Sequence, residues 1–311
     1  MFAFRGTTPP KRLRLRIARG EAAGVILFGD NVRSIAQVRR MTRSLQAIHR
    51  PAGLRAPLLV MVDQEGGLVK RLPGAPDRSP PQMSATGRPS VARSEGRATA
   101  RTLTTAGVNV DLAPVLDVAR PGSNIESDGR SFGRDAATVI RYGDAFVRGL
   151  RAGGIAATAK HFPGFGRARF NTDDRPVYIR ASASTLRRVD ERPFASVPTD
   201  LVMVSSAIYP ALDSQPALLS RKVIGGELRG RVGFNGVTAA DNLDGGALAA
   251  QPDVAIRAAA AGDDLLLYLH YQSAAHAVET LAKALRSGRL GSAAARMSMA
   301  RILALRGGLH R

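Results

Sequence analysis

The chain has 311 residues, of which 44% are apolar and none is Cys, and its 45 Lys+Arg outweigh 25 Asp+Glu for a formal net charge of +20. That length is about twice a typical domain or one large α/β barrel, and the apolar content is too high for a disordered chain. The absence of Cys excludes disulfides, thiolate zinc sites and a Cys nucleophile, and no apolar run approaches the roughly 20 residues of a membrane span.

Eight short apolar runs recur along the chain: Phe2–Phe4, Val25–Phe28, Leu58–Asp63, Val108–Pro114, Ala156–Phe162, Leu201–Ala207, Val237–Asp241 and Leu265–Leu269. Several are apolar almost throughout, as strands buried on both faces are. Helical spacing lies between them, in Ile35, Val38, Met41 and Leu45, in Val139, Tyr142, Phe146 and Leu150, and in Ala275, Val278, Leu281 and Leu285. Alternating strands and helices predict parallel βαβ units, and eight of them predict a single-domain (β/α)8 TIM barrel spanning residues 1–311. A doubly wound open sheet competes, but no G-x-G-x-x-G follows a strand. Two connections are long, Glu65 to about Ser90 and Pro163 to about Ser182, and both follow strands, which places them on the C-terminal face where barrel active sites sit.

The basic excess is Arg-rich, with Lys only at Lys11, Lys70, Lys160, Lys222 and Lys283. Its densest stretches, Lys11 to Arg19 and Arg286 to Arg311, alternate with apolar residues and read as helices with solvated faces. Aromatics are only 5%, too few for a base-stacking platform, so no specific nucleic acid is expected as a partner. The opening Met1 to Gly6 is too short for a signal peptide. The expectation is a cytoplasmic, monomeric protein without a membrane span, exported only if its true start lies upstream.

Polar residues gather at the strand ends: Asp63-Gln64-Glu65, Asp111, Asp117, Lys160-His161, Ser205-Ser206 and Asp241-Asn242. A lone strand-end Asp is as often a helix cap as a catalyst, and Lys160-His161 alone could be a structural pair. Together, acids and bases at one end of several strands converge on one mouth of a barrel, and strands three to seven should deliver Asp63, Asp111, Lys160, His161 and Asp241 to it. The Asp and His residues are not spaced as metal ligands, and no metal or organic cofactor is expected.

Val62-Asp63-Gln64-Glu65-Gly66-Gly67 with Arg71, Ala113-Pro114-Val115-Leu116-Asp117-Val118, Arg130-Ser131-Phe132-Gly133, Lys160-His161-Phe162-Pro163-Gly164, and Gly233-Phe234-Asn235-Gly236-Val237 followed by Asp241 occur in this order. Over nearly the whole chain this pattern resembles glycoside hydrolase family 3, in its single-domain β-N-acetylhexosaminidase branch. The resemblance implies a retaining glycosidase for β-linked N-acetylglucosamine, acting on cell-wall glycan fragments, with a carbohydrate as its partner. Asp241 matches the family's nucleophile, and Asp63, Arg71, Arg130, Lys160 and His161 match its sugar-binding positions. Ordinary alternatives are a helix cap for Asp241 and a surface salt bridge for Arg130.

The acid side departs from the family. Its Asp-x-His pair, which carries the acid/base His, falls on Asn171-Thr172-Asp173, so Asp173 stands where the His should be; Ser206 replaces a strand-six His, and Leu68 a common Arg. Asp173, or failing that Asp174, becomes the candidate proton donor, carried by a Pro163–Pro176 loop that swings over the site. The alternatives are a glycan-binding barrel with impaired catalysis and a β-glucosidase of the same family, and the plain reading of Asn171-Thr172-Asp173-Asp174 is a turn.

Overall fold

The computed structural model describes residues 1–309. In chain order its strands are β1 (Gly24–Leu27), β2 (Leu59–Val62), β3 (Gln64–Gly66), β4 (Val69–Lys70), β5 (Val110–Asp111), β6 (Ala156–Phe162), β7 (Leu201–Val204), β8 (Val237–Ala240) and β9 (Leu265–Leu266). β3 and β4 form an antiparallel hairpin, and the other seven form one curled parallel sheet in the order β1-β2-β5-β6-β7-β8-β9.

Side chains alternate along these strands between two cores, as the two-residue period of a strand requires. Ile26, Leu59, Met61, Leu201, Met203, Val237 and Ala239 pack together inside the curl, capped by Ile302. Val25, Leu27, Val60, Val62, Val202 and Val204 face the helices on the outside. Both faces are therefore dry, which is why the strands read as nearly unbroken apolar runs. Phe2 pairs in parallel with Val25, and the Met1 ammonium donates to the Leu266 carbonyl at 2.9 Å, so the N-terminal segment touches both edge strands.

The helices follow their sequence signals. Ser34 caps the helix Ile35–Gln46 by accepting from the Gln37 amide, and Asp135 caps Ala136–Ala152 by accepting from the Thr138 amide at 2.8 Å. The helices Pro89–Ala106 and Ala136–Ala152 cross where Gly96 meets Gly149; a Cβ on Gly96 would lie 2.3 Å from the Phe146 carbonyl oxygen.

Several expectations require correction. Of the run Phe2–Phe4 only Phe2 pairs, as a single bridge, and the run Val108–Pro114 narrows to a two-residue strand. The connection from Glu65 to about Ser90 is no plain loop: it contains the β3–β4 hairpin and the helix Pro80–Ala85, started by prolines and a Ser79–Gln82 capping box. The helix Lys11–Ala18 buries Leu13 and Ile17 and solvates its basic face as expected. In the helix Ser292–Gly308, however, Arg306 is buried, with Nε donating to the Pro57 carbonyl at 2.7 Å and Nη2 to the Leu54 carbonyl at 2.9 Å. The last two residues of that basic stretch, His310 and Arg311, lie outside the described residues.

Candidate active site

The site is built from the segments that leave the C-terminal ends of the strands. Directly after β2, the buried Gln64 amide anchors the segment that carries Arg71: its Oε1 accepts from the Arg71 and Leu72 amides at 3.1 and 2.9 Å, and its Nε2 donates to the Leu72 and Ala75 carbonyls. Asp63 and Glu65, on either side of Gln64, both face Lys160 of β6. The Lys160 ammonium lies 2.6 Å from Asp63 Oδ1 and 2.6 Å from Glu65 Oε1. Arg130 closes the cluster with a fork on Glu65, Nε to Oε2 at 2.8 Å and Nη2 to Oε1 at 2.7 Å.

Two cations thus face two carboxylates in a nearly dry wall, which is how buried charge is tolerated. Burial alone would raise the Glu65 carboxyl, but Lys160 and Arg130 hold it down at about 2. Asp111 lies beneath this layer, not in the mouth as expected. It is fully buried, and among the described residues its carboxylate accepts only from the Gln64 amide, to Oδ1 at 3.1 Å. Burial pushes its carboxyl well above the usual range. Asp111 belongs to the support of Gln64.

His161 is fixed by Asp117, another fully buried acid. Asp117 Oδ2 lies 2.7 Å from His161 Nδ1, and its Oδ1 accepts from the backbone amides of His161 and Phe165 at 3.1 and 2.6 Å. With Nδ1 engaged, the imidazole presents Nε2. The Lys160–His161 peptide is cis.

Asp241 follows β8 and is partly exposed. Its amide continues the strand ladder to the Val204 carbonyl at 3.0 Å, and its Oδ1 accepts from the Asn242 amide at 2.8 Å. Burial pushes the Asp241 carboxyl up; nearby His161 holds it down, and the Asp173 carboxylate pushes it up again. His161 and Asp173 thus both act electrostatically on the Asp241 carboxyl.

The loop that carries Asp173 rests against the segment after β8. The Gly246 amide donates to the Asp173 carbonyl at 2.8 Å, and the Ala247 amide to the Thr172 carbonyl at 3.0 Å. Asn242 Nδ2 donates to Asp173 Oδ1 at 2.7 Å. Gly246 is required here, because a Cβ would lie 2.4 Å from the Asp174 carbonyl oxygen. The Thr172–Asp173 segment of this loop is thus docked on the segment after β8. Asp174 is exposed, and its carboxylate makes no hydrogen bond among the described residues. Asn171-Thr172-Asp173-Asp174 is indeed a turn, with Asn171 Oδ1 accepting from the Asp173 amide, yet the turn presents Asp173 to Asn242.

Of the sequence-derived candidates, Lys160 is paired with Asp63, His161 and Asp173 act on the Asp241 carboxyl, and Arg130 lines the wall with two nitrogens already on Glu65. Arg71 is half-buried, and its Nε, shielded from solvent, has no partner among the described residues. Glu65, Asp117 and Asn242 were missed as site residues. Glu65 and Asp117 lie inside motifs already noted, but only the fold shows that their partners are Lys160, Arg130 and His161. Among the described residues no cluster of three or more His, Cys, Asp or Glu could hold a metal ion, and no helix is long and apolar enough to cross a membrane.

Known proteins share both the sequence and the geometry. The family described as Glycosyl hydrolase family 3 N terminal domain matches residues 7–305. A protein of Arthroderma benhamiae described as an uncharacterized secreted glycosyl hydrolase is 38% identical over 280 residues, covering 86% of this chain and 79% of that one. A beta-hexosaminidase of Tolumonas auensis is 35% identical over 267 residues, covering 82% of this chain and 78% of its own. The beta-N-acetylhexosaminidase structure from Beutenbergia cavernae superposes with a TM-score of 0.90 at 29% identity, over 98% of this chain and 96% of that one. A glycoside hydrolase family 3 beta-N-acetylglucosaminidase from Paenibacillus sp. superposes with a TM-score of 0.93 at 32% identity over 98% of this chain, which spans only 60% of that larger protein. The chain belongs to glycoside hydrolase family 3.

Proposed function

We propose that this family 3 glycoside hydrolase removes β-linked N-acetylglucosamine with retention of configuration, using Asp241 as nucleophile and Asp173 as general acid and base. The observation that supports the assignment of roles is the link from Asp241 through Asn242 to Asp173, which ties both carboxyl groups to one residue. The substrate class is supported by the relatives and structural neighbours named for β-hexosaminidase and β-N-acetylglucosaminidase activity. Cell-wall glycan fragments are the proposed source of such sugars. A closed (β/α)8 barrel is the proposed architecture, supported by the Met1–Phe2 segment that reaches both edge strands.

In the first step Asp241 attacks the anomeric carbon and the bond to the leaving oxygen breaks. That oxygen takes its proton from Asp173, leaving a covalent glycosyl-enzyme. Asn242 occupies Asp173 Oδ1, so Oδ2 carries the proton. In the second step water attacks the anomeric carbon, Asp173 recovers a proton from it, and Asp241 departs. Asp63 retains Oδ2 for a sugar hydroxyl, while Lys160, His161 Nε2 and the half-buried Arg71 guanidinium are the proposed donors to hydroxyl and N-acetyl oxygens.

The deciding experiment compares an aryl β-N-acetylglucosaminide with an aryl β-glucoside, with Asp241→Asn as control. The first substrate should be cleaved and the second much more slowly, and Asp241→Asn should abolish turnover while remaining folded. A preference for the glucoside would overturn the substrate assignment, and an active Asp241→Asn would overturn the nucleophile. Binding of N-acetylglucosamine oligomers without turnover of either aryl substrate would favour the glycan-binding reading.

A further inference from the structure

A cavity of about 730 Å³ opens at the end of the sheet opposite Asp241. Its floor is formed by Pro57, Asn109 and Ile155, which precede β2, β5 and β6, whereas Asp241 follows β8. The helices Ile35–Gln46, Pro89–Ala106 and Ala136–Ala152 all end at its walls. The lining contains Arg39, Arg43, His49, Arg50 and Arg55, and no Asp or Glu.

Helix C-termini repel anions, so the carbonyls at these ends decide what the cavity accepts. Many are already occupied. Thr42 Oγ1 donates to the Ala106 carbonyl at 2.9 Å and Thr104 Oγ1 to the Gly153 carbonyl at 3.3 Å. The buried Arg50 donates through Nη1 to the Gln46 and Ile48 carbonyls at 3.2 and 3.1 Å. Arg39, Arg43 and Arg55 are exposed and form no ion pair among the described residues. Arg39 and Arg43 stand four residues apart on one helix face, an arrangement that disfavours the helix unless an anion lies between them.

We propose that this cavity binds an organic oligophosphate, a molecule with two or three linked phosphates on a compact apolar body. One phosphate would satisfy one guanidinium fork, whereas Arg39, Arg43 and Arg55 offer three guanidiniums without an ion pair among the described residues, which a chain of phosphates can share. The half-buried Ile48, above the buried Val108, Ile155 and Pro57, offers an apolar contact for the body of the ligand. The volume is that of a small-molecule pocket.

The test is titration calorimetry of the full chain with ATP and with inorganic tripolyphosphate at fixed salt. Two double variants lose the same number of charges: Arg39→Gln with Arg43→Gln inside the cavity, and Arg286→Gln with Arg296→Gln on the outer surface. ATP should bind with one-to-one stoichiometry and more tightly than tripolyphosphate. The cavity variant should weaken it at least about tenfold and the surface variant less than about twofold. Unchanged turnover of an aryl glycoside would show that the cavity variant is folded. Equal weakening in both variants, or no saturable one-to-one binding up to millimolar ATP, would overturn the site. Equal affinity for tripolyphosphate and ATP would overturn the role of the apolar contact.

Discussion

Asn242 joins Asp241 to Asp173. Its backbone amide donates to Asp241 Oδ1 at 2.8 Å, and its side-chain amide donates to Asp173 Oδ1 at 2.7 Å. The Asp244 amide in turn donates to Asn242 Oδ1 at 2.9 Å, so the Asn side chain has one orientation that satisfies both ends. A residue with no chemistry of its own thereby sets the position of one carboxyl relative to the other.

Asn242→Ala keeps the backbone bond to Asp241 and removes the hold on Asp173. The kcat for a glycoside with a poor leaving group should fall about tenfold or more, with a smaller effect on an activated nitrophenyl glycoside, because only the former needs the proton. KM should change little. Steady-state kinetics on both substrates will show the split; equal losses on the two would indicate a structural role only.

Gly246→Ala tests the docked loop without touching either carboxyl. The added Cβ would lie 2.4 Å from the Asp174 carbonyl oxygen, so the Thr172–Asp174 segment must retreat. Turnover of the poor-leaving-group substrate should drop while circular dichroism shows the fold retained, since Asp173 and Asp174 lie at the surface. Undiminished turnover would show that the contact with Gly246 does not position Asp173.

Glu65 gives a pH dependence of stability. Its carboxyl lies at about 2 in the folded state against an ordinary value of 4.5. Because the folded value is depressed, its contribution is complete above about pH 4.5 and is lost as the pH falls toward 2; the shift corresponds to on the order of 3 kcal/mol. Glu65→Gln should cost about 3–5 kcal/mol at neutral pH, by leaving Arg130 without its carboxylate partner and Lys160 with one partner fewer. Urea unfolding at pH 7 and pH 3 should show a smaller loss on acidification in the variant than in the parent.

The sequence made the strands legible because both faces of the sheet are dry, and β6 spans the whole of its run, Ala156–Phe162. The β3–β4 hairpin was not legible: Gln64-Glu65-Gly66 carries no alternating pattern, and what orders it is the Gln64 amide bonding to a segment several residues downstream. Asp63, Lys160, His161 and Asp241 could be named because strand ends converge in such folds. The environment of Asp111 could not, since its position beneath Gln64 depends on a pleat that composition does not reveal. Asn242 was passed over for a related reason: an Asn next to a strand-end Asp reads as a turn until the distant Asp173 is brought against it.

The central proposal is that Asp173, on the loop tied to Asn242, delivers the proton. The most direct measurement is the dependence of kcat/KM on leaving-group pKa across a series of aryl β-N-acetylglucosaminides, for the parent enzyme and for Asp173→Ala. The account predicts a steeper decline with rising leaving-group pKa in the variant, reaching a loss of about 10²–10⁴-fold for the poorest leaving groups while activated substrates are nearly spared. Parallel lines for parent and variant would contradict it.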